Sequence, residues 1–282
     1  MRTNYHTHSP FCDGKASIPA MAAAAQAVGY QVLGFSSHAP LPFETTWNMK
    51  ASQMPEYAQS VREEARAWKE RGFEILLGLE IDWIEGIASP CDARFDSIDL
   101  DFRICSVHFI DPAGSGLFTV DSPSDEFEES AAAAVGGEGD RLWKDYYRRL
   151  GLAIEEGGFD ILGHLDLVVR NNRNGRWFDE SSKAYLDAAF EAIEPMGTSG
   201  AVAEINIGPL VRGKSDRPHP SMPIMKRLHE LGVPVTISAD AHDTPHFGKR
   251  LDDARDLARN AGYRSVAVLS GGSWREVGLE ET

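Results

Sequence analysis

Six of the chain's nine histidines sit in polar clusters directly behind short apolar runs. The first run delivers His6 and His8, VLGFSS leads into His38, FRICSV into His108 and FDILG into His164. ILLGL ends at Glu80, PVTISA ends at Asp240 and His242, and AVAEIN carries Glu204 and Asn206. Residues two apart on a strand point to one side, so His6 and His8 share a face, as do Asp240 and His242. Imidazole nitrogens and carboxylate oxygens suit zinc, manganese or iron. Six histidines with three or four carboxylates exceed what one tetrahedral ion can use. That surplus argues for two or three metals, with a carboxylate such as Glu80 bridging. For any single residue the alternative is a buried His or Glu satisfied by a hydrogen bond. For the whole set, that alternative buries too many ionisable groups without cations.

Other residues are less decided. Asp13, in SPFCDG, is either a turn former or a further ligand reaching the same place. Cys12 reads as an ordinary small residue, and His229, within MKRLHELG, as a helix-surface one. His219 and His246 fall in loops near the proposed mouth and are candidates to touch a substrate. Other catalytic solutions are missing: Gly34-Phe-Ser-Ser-His lacks the second glycine of a nucleophile elbow, and a Cys-His pairing leaves the other histidines unexplained.

The elements that must position these groups alternate along the chain. Strands are predicted over 3–6, 31–36, 74–79, 102–107, 159–163, 201–205, 234–239 and 265–269. Helices are predicted over 18–28, 54–71, 141–156, 183–194, 222–231 and 251–261, several stopped by a glycine. Such alternation implies parallel strands with right-handed crossovers. Seven or eight units, with neither dinucleotide-binding nor P-loop glycine fingerprint, favour a closed α/β barrel in which every strand's C-terminal end opens on one face. Closure sets the first strand beside the last and the two dyads face to face. Two stretches break the alternation, a loop over 43–53 and the low-complexity segment 122–140, expected to be a mobile surface loop and a candidate lid. With no linker or repeat, residues 1–282 read as one domain.

Composition narrows the partners. The chain has 282 residues, enough for a large core, and 43 acidic against 28 basic residues give a net charge of −15. That surface repels nucleic acid and anionic membranes. Three cysteines without a C-x-x-C pair, no leader-like N-terminus and no long apolar run lead to the expectation of a cytoplasmic protein.

HTHSPFCDG, SSH, GLEID, SVH, GHLD, EIN and SADAH, in that order from Tyr5 to about Val268, resemble the PHP (polymerase and histidinol phosphatase) superfamily. FSSHAP, GHLDLV and the EIN, HPS and SADAH series look most like its histidinol-phosphatase branch. The resemblance implies a distorted TIM-like (β/α)7 barrel with three divalent ions (zinc, manganese or iron). One ion would be held by His6, His8, Glu80 and Asp240, a second by Asp13, His38 and His242, and a third by Glu80, His108 and His164. Three departures stand out. Ser37 replaces a common Asp before His38, Asp13 replaces a His, and the branch's N-T-[SA]-G-L-R reads here as Asn206 to Arg212 with an insertion. The resemblance implies that Arg212 takes the place of that phosphate-binding arginine.

The implied reaction is hydrolysis of L-histidinol phosphate, a small-molecule phosphate ester of histidine biosynthesis, by metal-activated hydroxide. Arg212, with Arg170 as a second candidate, would neutralise the phosphate. Asp240 and His242 are candidate proton donors to the leaving oxygen, and Asp166 and Asp243 are candidates to attract the amine. Three rivals are a related phosphoesterase (nucleotide phosphatase or exonuclease), a metal amidohydrolase and a non-catalytic metal-binding module. An exonuclease needs a basic, aromatic-lined channel, and an amidohydrolase a bridging Lys that no strand end offers. Against the module, the ligand set looks complete and no partner domain is attached. Oligomeric state is not legible from the chain.

Overall fold

A computed structural model describes residues 1–282. Four parallel strands open the central sheet: β1 (Thr3–Asn4), β2 (Val32–Phe35), β3 (Glu74–Asp82) and β4 (Phe102–Ser106). A short antiparallel pair, β5 (Phe109–Ile110) and β6 (Phe118–Thr119), stands outside it. The sheet continues through β7 (Ile161–Leu162), β8 (Val202–Asn206) and β9 (Val235–Ser238).

β9 then meets β1. Thr7 and Ala241 form a parallel bridge, with the His8 N–H donating to Ala241 O (2.9 Å) and the Ala241 N–H to His6 O (3.0 Å). Lower down, Asn4 Oδ1 accepts from the Ala239 N–H at 2.5 Å, so a side chain completes what the two-residue strand cannot. The result is a distorted TIM-like (β/α)7 barrel, closed as the alternation implies and of the kind that the family resemblance implies.

The six predicted helices appear within two residues of their expected bounds: α1 (Ile18–Ala27), α2 (Met54–Lys69), α4 (Asp140–Glu156), α5 (Lys183–Ile193), α8 (Met222–Glu230) and α9 (Leu251–Ala261). α1 starts where Ser17 Oγ accepts from the Ala20 N–H at 3.4 Å, with Pro19 in the first turn. α4 buries Leu142, Trp143, Tyr146, Leu150, Ala153 and Ile154, a helical stripe that packs on the barrel wall. Short helices α6 (Met196–Ser199) and α7 (Gly208–Val211) flank β8.

Two expectations are corrected. Segment 122–140 is not a loop: Ser124–Val135 forms helix α3, burying Phe127, Ala131 and Val135. Its alanines favour helix, Asp125 and Glu126 suit the positive N-terminal end, and Gly136 caps it in the left-handed conformation (φ 57°). The eighth strand lies outside the barrel. β10 (Ser265–Ser270) folds back on β11 (Ser273–Gly278) as an antiparallel hairpin. That hairpin seals the barrel floor: Tyr5 Oη accepts from the Leu269 N–H (2.7 Å) and donates to Leu269 O (3.0 Å), and Trp274 packs edge-on against Tyr5.

Inside the floor, Tyr5, Val32, Leu76, Phe102, Ile104, Ile161 and Leu269 form a closed apolar cluster. Phe102 fits only because β2 and β3 carry glycines beneath its ring. A Cβ on Gly34 would lie 2.6 Å from the Phe102 ring, and Gly78 is as tightly covered. Each buried aromatic there contributes roughly 1.5–3 kcal/mol.

Candidate metal centre

The opposite end of the barrel carries the chemistry. β3 is the longest strand and projects Glu80 into the axis, where the carboxylate is buried. Its two oxygens face different neighbours. Oε2 lies 2.9 Å from His38 Nδ1, 3.0 Å from His6 Nε2 and 3.5 Å from His8 Nε2. Oε1 lies 3.0 Å from His164 Nε2 and 3.6 Å from His108 Nε2, and accepts from Ser106 Oγ at 2.7 Å. Asp240 Oδ1 stands 3.2 Å from His8 Nε2 and 3.9 Å from His6 Nε2. At the rim, Asp13 reaches His242 Nε2 (3.2 Å), His8 Nδ1 (3.6 Å) and His38 Nε2 (3.8 Å). All nine expected ligands therefore meet at one place, and barrel closure does set the two dyads face to face.

Several of these contacts are not hydrogen bonds. Glu80 Oε2, His6 Nε2, His8 Nε2 and His38 Nδ1 are buried without a hydrogen-bond partner although they crowd one another. Ligands held about 2.1 Å from one tetrahedral ion stand roughly 3.4 Å apart, the spacing seen here. Unpaired acceptors and lone pairs converging on shared space fit divalent cations. Four sets of donor atoms lie close enough to share an ion: His8, Asp13, His38 and His242; His6, Glu80 and His164; His6, His8 and Asp240; and His38, Asp82 and His108.

Outer groups fix the rings. Glu204 Oε1 holds His6 Nδ1 at 2.7 Å, and Asp82 Oδ1 holds His108 Nδ1 at 2.7 Å, leaving each Nε2 to point inward. Asp82 is missing from the sequence reading, yet it follows Glu80 by two on β3 and so had to share its face. Ser37, at the expected position of an Asp, turns away to hydrogen-bond Ser9 Oγ at 2.7 Å. Asp240 adopts φ 45°, a left-handed conformation that costs on the order of 1–3 kcal/mol in a non-glycine residue, at the point where the strand delivers its dyad.

Electrostatics follow from the crowding. Burial would raise Glu80, but His38 and His6 hold its carboxyl well below the usual range. Burial likewise opposes the charge of Asp240, and Arg212, with His6 and His242, holds it well below. Burial together with the neighbouring His242 and His38 lowers His8 to about 3, leaving a neutral imidazole with a lone pair to offer. Burial works against a charged His108, yet Asp82 lifts it to about 10.

Above the centre opens a cleft of about 640 Å³. Its rim carries four cations, Lys15, Arg170, Arg212 and Lys214, on a chain that is acidic overall. Arg212 donates from Nη2 to Asp240 Oδ2 at 2.9 Å, and Arg170 from Nη1 to Asp121 Oδ2 at 3.1 Å. Trp47, from the predicted 43–53 loop, forms an aromatic wall with its ring centre 4.6 Å from that of His38. His246 lines the cleft as expected.

Four residues depart from expectation. Asp166 is fully buried and bonded through both oxygens, to His219 Nδ1 (2.6 Å) and the Ser221 N–H (2.8 Å), so it has no free face for an amine. His219 is buried with it and does not line the cleft. Asp243 caps the turn Thr244–His246 by accepting from the Thr244 N–H at 2.7 Å, again outside the cleft. Asp240, held as a carboxylate by Arg212, carries no proton to donate at neutral pH. The cleft acid without an ionic partner is instead Glu126, in the first turn of α3.

A parallel barrel with a buried multi-histidine, multi-carboxylate centre at its C-terminal mouth is the architecture of a metal-binding barrel with its site on the strand ends. The PHP domain family model matches residues 4–207, and the chain belongs to that family. A relative from Deinococcus radiodurans named "Probable histidinol-phosphatase" is 28% identical over 266 residues, covering 93% of this chain and 94% of the relative. A solved structure from Listeria monocytogenes superposes with TM-score 0.76 at 19% identity, covering 89% of this chain and 99% of that one. The histidinol phosphate phosphatase of Lactococcus lactis, solved with zinc, L-histidinol and phosphate, superposes with TM-score 0.67 at 20% identity, over 97% of this chain and 98% of that one. No helix is long and apolar enough to cross a membrane.

Proposed function

We propose that the chain is a metal-dependent phosphomonoesterase that hydrolyses L-histidinol phosphate to L-histidinol and phosphate. The observation that carries this reading is the buried cage around Glu80 lying directly beneath a cationic rim, on a chain whose net charge is −15. The names of the Deinococcus and Lactococcus relatives support the substrate. His6, His8, Glu80 and Asp240 would hold one divalent ion, Asp13, His38 and His242 a second, and Glu80, His108 and His164 a third. When bound, such ions supply Lewis acidity, lowering the pKa of water and offsetting phosphate charge.

The chain's own groups do the rest. Glu80 keeps five imidazoles in register, and its low pKa keeps it anionic throughout. Arg212 and Arg170 present planar donor forks to the non-bridging phosphate oxygens and hold the group in line for displacement. His242 is the most exposed of the six clustered histidines, with a side chain 17% accessible, and its Nδ1 is held 3.0 Å from Asp240 O, which leaves Nε2 for the ion shared with Asp13 rather than a proton for the departing oxygen. Glu126 and Asp121 offer negative charge to the ammonium, and Trp47 offers a flat face to the imidazole.

Phosphate release from L-histidinol phosphate, p-nitrophenyl phosphate and a nucleoside monophosphate tests the reading. Histidinol phosphate should show the highest kcat/KM, because remote contacts to its amine and ring help align the phosphate. A strong preference for the nucleotide would overturn the substrate and leave the metal chemistry in place.

A further inference from the structure

Beside the reaction cleft lies a second cavity of about 390 Å³ that the proposed reaction does not use. Arg170 and Lys214 line both, so these two cations form the sill between them. Beyond the sill the second cavity adds Arg173 and Arg217, set against Glu180 and Asp216. Arg217 is paired with Glu180 at 2.6 Å and Arg170 with Asp121 at 3.1 Å. Arg173 and Lys214 belong to no ion pair, so their charge is uncommitted. Only one of the 11 lining residues is hydrophobic, which excludes an apolar occupant.

A cationic pocket on a chain of net charge −15 runs against the field of the whole molecule. Such a pocket attracts small anions locally, and guanidinium forks match tetrahedral oxyanions. We infer that this annex is a second anion site that takes inorganic phosphate as it leaves the cleft, handed across the Arg170–Lys214 sill. A phosphate still attached to a substrate's far end has the same chemistry. Histidinol phosphate carries its positive charge away from its single phosphate, so the annex falls to the free product. That assignment of direction rests on the phosphatase reading, whereas binding of phosphate in the annex does not.

The test is calorimetric titration of metal-loaded enzyme with inorganic phosphate, paired with initial rates. Wild type should bind two phosphates per chain. Arg173→Glu should weaken only the second event, by tenfold or more, and Arg173→Lys should preserve it. Initial rates measured without added phosphate should match wild type in both variants, while inhibition by high phosphate should lose its second component in Arg173→Glu. Arg217→Ala repeats the measurement from the annex's other wall should Arg173→Glu fail to melt cooperatively. A single phosphate per wild-type chain, or a second event indifferent to both variants, overturns the site. A fall in kcat/KM in Arg173→Glu with unchanged phosphate stoichiometry overturns it too, because the annex would then hold substrate. An enzyme that releases no phosphate from any ester, yet still binds two, refutes the phosphatase reading and leaves the annex standing.

Discussion

The two ends of the barrel are made by the same seven strands and could hardly differ more. At the floor, Tyr5, Phe102 and Leu269 close a dry apolar plug under the β10–β11 hairpin. At the mouth, a few residues further along those strands, Glu80, Asp240 and five of the six clustered histidines are buried at comparable depth, and Glu80, His6, His8, His38 and His164 each leave an atom there without a hydrogen-bond partner. Tyr5 and His6 are neighbours in sequence and belong to opposite regimes. The floor therefore supplies stability, and the mouth draws on it to keep charged groups that would not pack unaided.

That division can be broken from either side. The largest effect should come from removing the metals: a strong chelator should abolish hydrolysis, refilling should restore it, and circular dichroism should show the barrel persisting meanwhile. Activity that survives without metal would end the division. Next, Glu80→Gln should cost at least the ~10²–10³-fold that loss of one preorganised polar group costs, and should release more than one ion per chain by elemental analysis. His38→Ala should release one. Equal losses would mean that Glu80 does not bridge.

At the floor, Tyr5→Ala should remove about 3–5 kcal/mol of stability in urea unfolding while the folded fraction keeps its kcat. A large loss of kcat would show the ends to be coupled. Arg212→Ala should cost about 2–4 kcal/mol in kcat/KM for histidinol phosphate and p-nitrophenyl phosphate alike, since both present a phosphate. Selective loss on one substrate would move Arg212 to another role. The smallest effect belongs to Glu126→Gln: an exposed rim charge should cost only ~2–5-fold, in KM, and only for the cationic substrate.

The mouth was largely legible in the sequence because its signal is periodic. Apolar runs ending in His, Glu or Asp need only parallel strands to bring those ends together. What escaped depends on tertiary neighbours. Asp166 and Asp243 look like free acids until His219, Ser221 and Thr244 are seen to claim them. Glu126 was hidden by the reading of 122–140 as a loop, although alanine propensity and the following Gly-Gly already spelled a capped helix. The floor was less legible. Ser265–Leu269 has strand composition whether it joins the barrel or covers it. The deciding clue was Gly271-Gly272, both at positive φ, between the paired Ser270 and Ser273. Two such residues between strands make a hairpin turn, which a barrel strand leading into a crossover does not contain.

The seam between β1 and β9 sets an order of events for the chain as it is made. Its backbone bridge joins Thr7 to Ala241, and the clustered ligands run from His6 to His242. A ribosome-bound chain ending before the SADAH segment would hold an open barrel, with His6 and His8 already made and lacking the dyad they face. Contacts of such sequence separation form late and slowly. Only a chain translated past His242 and closed on its own beginning can therefore bring together all the donor groups of the centre.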